Sequence, residues 1–196
     1  DDNSRISLSN NDSGTSNTVF GKSAGNNVAN GGNQNTFIGD YAGHSNTTGD
    51  DNTYIGKSAG QANSGTGDDN TFVGSYSGYQ LTGGSDNTGL GKGSLQAITS
   101  GTTNVAVGSR ALFSITTGAG NVAIGQGALD LATTQATYNI AIGQDAMNGN
   151  WTTADVDDVI GIGRNAVAGV LTSGATGTIG IGYNSLSGLT SGAGNI

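Results

Sequence analysis

One short phrase returns ten times along this chain at a nearly fixed interval, and that periodicity constrains the fold more than any other feature. It reads NTVFG (Asn17 to Gly21), NTFIG (Asn35 to Gly39), NTYIG (Asn52 to Gly56) and NTFVG (Asn70 to Gly74). It continues as NTGLG (Asn87 to Gly91), NVAVG (Asn104 to Gly108), NVAIG (Asn121 to Gly125) and NIAIG (Asn139 to Gly143). Two variants follow, VIGIG (Val159 to Gly163) and TIGIG (Thr178 to Gly182), and Asn195-Ile196 opens an eleventh. The closing glycines lie 17 or 18 residues apart as far as Gly143, then 20 and 19. An interval this short holds one supersecondary unit that cannot bury a core alone and must stack on its neighbours.

Each phrase is rich in β-branched residues and bounded by Asn and Gly, which reads as a strand of about five residues. A second short segment follows each closing glycine (KSAG, DYAG, KSAG, SYSG, KGSL, SRAL, QGAL, QDAM, RNAV, YNSL), and then a polar turn. A helix of ordinary length does not fit, and Gly, Asn and Thr dominate. The expected coil has two short strands and two turns. Stacked in parallel at about 4.8 Å per step, ten coils span roughly 50 Å. The fold class is all-β: a parallel β-solenoid of ten coils, each 17–20 residues long. Residues 1–16 read as an N-terminal capping or connecting segment, and residues 17–196 as the repeats. The chain starts at Asp1 and stops in mid-phrase, so the repeats are expected to continue beyond it.

Composition agrees with a thin, repeated core. Apolar residues make up 33% of the chain, with 37 glycines, no proline and no cysteine. The missing cysteines exclude disulfides and thiolate metal sites. A net charge of −8 with only six Lys plus Arg argues against nucleic acid as a partner. No apolar run is long enough to insert in a membrane as a helix.

Three positional patterns carry more detail. Asn opens eight phrases in register, so Asn17, Asn35, Asn52, Asn70, Asn87, Asn104, Asn121 and Asn139 are expected to form a side-chain ladder along the stack. The middle residue of each phrase varies with the residue four past the closing glycine. Phe37, Tyr54 and Phe72 pair with Gly43, Gly60 and Gly78, whereas Ala106, Ala123 and Ala141 pair with Leu112, Leu129 and Met147. A narrow interior that holds one bulky side chain per coil explains the exchange. Finally, the later strands are apolar on both faces. The face not used by the coil's own interior needs a partner, and closed self-association supplies one. The expectation is a homotrimer with an axis lined by Thr36, Ile38, Val105, Val107, Val122, Ile124, Ile140 and Ile142.

The phrase NVAIG, the following Ala-Leu and the polar turn resemble the head repeats of trimeric autotransporter adhesins, which implies a left-handed parallel β-roll. Tandem units similar to NTxIGxxAG…TG and NxAIGxxAL…TSG, after an opening like SRISLSNND (Ser4 to Asp12), also resemble fibre proteins of marine tailed bacteriophages. The resemblance covers nearly the whole chain and departs at coils nine and ten, where Val159 and Thr178 replace Asn. It implies a structural tail or collar fibre on the virion surface: a trimeric rod or spacer. Its partners would be other copies of itself, other virion proteins and a host-surface receptor. The alternative it implies is the head or stalk of a trimeric adhesin on a bacterial surface.

Other motifs dissolve into the repeat. Gly89 to Ser94 has a glycine where a phosphate loop needs Ser or Thr, and Gly161 to Ala166 and Gly180 to Ser185 are the repeat phrase itself. The acid pairs Asp50-Asp51, Asp68-Asp69 and Asp157-Asp158 read either as solvated turns or as a stacked cation site. His44 has no obvious triad partner, and the repeats duplicate every catalytic candidate, so neither an enzyme nor a cofactor is expected. An ice-binding face fits less well, because the Thr column gives way to Val and Ile in the later coils. The irregular segment Asn148 to Asp158 holds the only Trp. Trp151 is a candidate receptor-contact loop residue, with a subunit contact or the cover of a local gap as the other readings.

Overall fold

The computed structural model describes residues 6–7, 14–28, 31–61, 65–131, 135–151 and 156–196. It is a parallel β-solenoid. One three-residue strand marks each coil: β2 (Thr18–Phe20), β3 (Thr36–Ile38), β4 (Thr53–Ile55), β5 (Thr71–Val73), β6 (Thr88–Leu90), β7 (Val105–Val107), β8 (Val122–Ile124), β9 (Ile140–Ile142), β10 (Ile160–Ile162) and β11 (Ile179–Ile181). β1 (Ile6–Ser7) precedes them and lies antiparallel on β2, Ile6 opposite Phe20. The strands stack in sequence order as one sheet, and each pairs in register with the next, as in Val105 on Val122 and Ala106 on Ala123. Among the described residues one 3-10 turn, Ser173–Ala175, sits in one of the two lengthened coils.

The expected second strand is absent from the described coils. A series of turns takes its place, because residues two and four past each closing glycine have positive φ: Tyr41 at 57° and Gly43 at 56°, Arg110 at 60° and Leu112 at 50°. The chain curls there instead of extending. The turns still stack by backbone hydrogen bonds. Gly43 N donates to Ala59 O of the next coil (2.9 Å), and Ser58 N donates back to Asp40 O (2.8 Å).

The middle strand residue points inward in every coil and the two flanking ones point outward, as the alternating burial shows. Phe37, Tyr54 and Phe72 form a continuous ring stack, with centroids 5.2 and 5.3 Å apart and planes within 20° and 17°. The glycine four past the closing Gly lies against the ring of its own coil. A Cβ on Gly43, Gly60 or Gly78 would stand 2.5, 2.4 or 2.3 Å from Phe37, Tyr54 or Phe72. In later coils the relation inverts. Leu95, Leu112, Leu129 and Met147 fill the interior opposite Gly89, Ala106, Ala123 and Ala141. The two paired positions therefore face the same interior space. Gly89 is the junction, since its Cβ would lie 2.9 Å from the Phe72 ring below.

The exchange has a backbone cost. Glycine adopts φ near +55° freely, whereas Leu, Met and Val hold φ between 50° and 53° at Leu95, Leu112, Leu129, Met147 and Val167. Each such residue costs roughly 1–2 kcal/mol. Burial of a Leu side chain, about 1.5–3 kcal/mol, offsets it.

Replacing Ala106 with Phe overpacks the interior beside Leu112 and should cost about 1–3 kcal/mol by chemical denaturation. Adding Leu112→Gly to that variant removes both the clash and the left-handed leucine. The double variant should therefore recover stability relative to Ala106→Phe alone. A double variant no more stable than the single would refute the shared-volume account.

Candidate functional site

Three rows of side chains run along the roll. The first is the asparagine row at the corner where each strand begins. These residues are buried. The N–H of Asn35 donates to Asn17 Oδ1 (2.8 Å), that of Asn52 to Asn35 Oδ1 (2.9 Å), and so on through Asn70, Asn87, Asn104, Asn121 and Asn139. Val159 N closes the series on Asn139 Oδ1 (3.0 Å). Each Nδ2 donates to a carbonyl in the coil that follows: Asn17 to Gly32, Asn52 to Gly67, Asn104 to Gly118, Asn139 to Val156. From Asn70 onward Nδ2 also donates to the Oδ1 of the asparagine one coil earlier, at 2.9–3.1 Å. Each buried amide is satisfied by backbone groups of the coil that follows, so Val159 suffices as the neighbour of Asn139.

Two residues before the asparagines runs a second row, which the sequence reading missed. Its hydrogen bonds point the other way along the axis. Thr15 N donates to Asn33 Oδ1, Asn33 N to Asp50 Oδ1, Asp50 N to Asp68 Oδ1 and Asp68 N to Ser85 Oγ. Thr137 N and Oγ1 both donate to Asp157. The signal was present in the sequence as Asn, Asp, Ser or Thr at fixed register, interrupted only by Ala119.

One carboxylate of each acid pair is thus committed to a backbone N–H. The others, Asp51, Asp69 and Asp158, stand exposed in left-handed turns, as does Asp86, which follows Ser85 at the same register. Partial desolvation, and then the charges of Asp51, Asp86, Asp68 and Asp50, push the Asp69 carboxyl above its ordinary value. Among the described residues no group of three or more His, Asp or Glu is placed to hold a metal ion. His44 has a neighbour after all: its Nδ1 lies 3.1 Å from Ser45 Oγ, and its ring packs on Tyr41. The Gly89 to Ser94 segment is strand and turn, with no helix after it.

The third row is the outer face of the sheet. Thr36, Ile38, Val105, Val107, Val122, Ile140 and Ile142 are half-buried, and Ile124 is exposed. Strand register extends these residues into two unbroken columns. One runs Thr18, Thr36, Thr53, Thr71, Thr88, Val105, Val122, Ile140, Ile160, Ile179. The other runs Phe20, Ile38, Ile55, Val73, Leu90, Val107, Ile124, Ile142, Ile162, Ile181 and is apolar throughout.

Trp151 requires a correction. It is not on an outer loop but inside the roll, 2% exposed, with Nε1 donating to Gly169 O at 3.1 Å. It joins the interior with Leu81, Ile98, Ile115 and Leu171. Of the earlier readings, only the filling of a local gap is compatible with that burial; a surface contact for a receptor is not. Residues 152–155 of the irregular segment lie outside the described residues.

Asn104→Ala strands the N–H of Asn121 and the carbonyl of Gly118, and should destabilise the roll by roughly 1–3 kcal/mol per group left unpaired. Hydrogen exchange should show the opening localised around coils six and seven. For Asp69 the sign follows from its raised value. The folded state binds the proton more tightly than the unfolded state, so stability falls as pH rises through the carboxylate range and stays lowered above it. Asp69→Asn suits the same turn and should raise the melting temperature at neutral pH and low salt. The gain should shrink with added salt and vanish on acidification.

Comparison with protein-family models, with curated proteins and with solved structures returned no match to this chain.

Proposed function

We propose that the chain is the repeat shaft of an extracellular fibre on a phage virion: a trimeric rod or spacer that projects from the particle and contributes to host attachment. The carrying observation is the outer sheet face. Two columns of side chains, one wholly apolar, run the length of the roll, and among the described residues no strand or helix packs over the central strands. At about 4.8 Å per rung the ten strands offer a strip over 40 Å long. A continuous apolar strip of that size marks an association surface. Three copies about an axis bury it symmetrically, with Thr columns meeting in the early coils and Val and Ile columns in the later ones. The sequence resemblance to phage fibre repeats supports the virion setting. In this reading the roll is architectural, other virion proteins hold its ends, and it has no catalytic duty.

Sedimentation equilibrium should return three times the 19.2 kDa chain mass. The pair Val122→Asp and Ile140→Asp, which changes only outward-facing side chains, should dissociate the assembly while the β-sheet circular dichroism persists. A stable, folded monomer of the unaltered chain overturns the proposal.

A further inference from the structure

The surface strip that follows the closing glycines carries a second period, twice the length of the first. In coils one, three and five the residue after the closing glycine is Lys22, Lys57 and Lys92, and all three are exposed. In coils two, four and six the residues two and five past the glycine form aromatic contacts instead, tilted, edge-on and cation-on-ring in turn. Tyr41 packs on His44 with centroids 5.1 Å apart, Tyr76 meets Tyr79 at 5.5 Å, and the Arg110 guanidinium lies 4.2 Å over the Phe113 ring. Lys22, Lys57 and Lys92 are 35 residues apart, as are Tyr41 and Tyr76, and His44 and Tyr79. The five rings are half-exposed, and half-buried Gln61 and Gln96 lie between the pairs. Four of the chain's six Lys and Arg fall on this strip, although the chain as a whole carries −8. Asp40 is the one acid in the same rows over these six coils, and Asp130 of coil seven binds Arg110 at 2.9 Å.

We propose that this strip binds an acidic polysaccharide laid along the roll axis, one with a carboxylated sugar in every disaccharide. The C–H face of a pyranose packs on aromatic rings, and at least one such ring recurs every second coil, at Tyr41 and His44, Tyr76 and Tyr79, and Phe113. A lysine recurs every second coil as well, offset by one, where the alternating carboxylates fall. Two coils advance roughly 10 Å, close to the rise of one disaccharide in an extended chain. A single exposed lysine–carboxylate pair contributes little. Affinity therefore comes from repeating the contact along one glycan, and it declines with salt. The inference deepens the fibre reading by giving host attachment a ligand class. It needs only one chain's surface, not the trimer.

The experiment is isothermal titration of the intact chain at low salt with decasaccharides of hyaluronan and of unsulfated chondroitin, both alternating a uronic acid with a hexosamine. Neutral chitohexaose and poly-L-glutamate are the controls. At least one acidic decasaccharide should bind more tightly than either control. The variant Tyr76→Ser with Tyr79→Gln gives coil four the residues that coil three already carries at Ser58 and Gln61, so it preserves the turn. It and Lys57→Gln should each weaken binding on the order of fivefold. Absence of binding by both decasaccharides, equal binding by either control, or unchanged affinity in both variants overturns the proposal. Sedimentation of the same samples keeps the two readings apart: a monomer that binds glycan refutes the trimer alone, and a trimer that binds none refutes the glycan strip alone.

Discussion

Register between coils is the constraint from which the rest of this structure follows, and buried asparagine amides enforce it. At the corner where each strand starts, the backbone turns with its polar groups shut away from water. Each asparagine accepts from the N–H of the next coil and donates to a carbonyl there, so a one-residue slip leaves both groups unpaired at once. The closing glycines act at the other end of the strand. A Cβ on Gly108 would stand 2.6 Å from the backbone of Gly125, and the same holds for the glycines above and below. Strand length is thereby fixed between a ladder that pulls coils together and a column that tolerates no side chain.

With the backbone fixed so tightly, volume is the remaining freedom, and the two core types show how it is used. Aromatic coils place the bulk on the strand and glycine on the turn. Aliphatic coils place it on the turn and accept a left-handed leucine. Tyr54 shows how strictly the interior is closed. Burial drives its phenol far above the ordinary value even though a hydrogen bond with the ladder residue Asn70 opposes the shift. The polar rim of the core and its apolar centre meet at that hydroxyl.

The repeat, the asparagine register, the exchange of volume and the outward apolar columns were all legible in the sequence, because each is a statement about which residue type recurs at which interval. What depends on the sign of a dihedral was not. Ala111-Leu112 has the composition of a strand, and nothing in its letters says that Leu112 sits at φ 50°. Trp151 misled for a related reason. The lengthened coil suggested an excursion outward, whereas the tryptophan lies inside, in the same buried core as Ile115 and Leu171, and fills the interior of an oversized rung. The two-coil alternation of lysines and rings was present in the letters too, but the dominant single-coil period obscures it.

The glycine at the junction between the two core types has a consequence for how such a molecule changes over time. Gly89 covers an aromatic ring on one side and an alanine on the other, so it makes the two kinds of rung mutually compatible. Rungs of each kind therefore add beside their own kind, with a glycine rung such as this one where the two kinds meet. A gene encoding this chain is free to lengthen or shorten by unequal recombination in whole rungs, with the reach of the product changing in discrete increments. Extra residues within a coil leave the corner matched, as in the 20-residue coil where Asn139 still bonds Val156 and Val159, so reach changes with the number of rungs, a counted quantity rather than a continuous one.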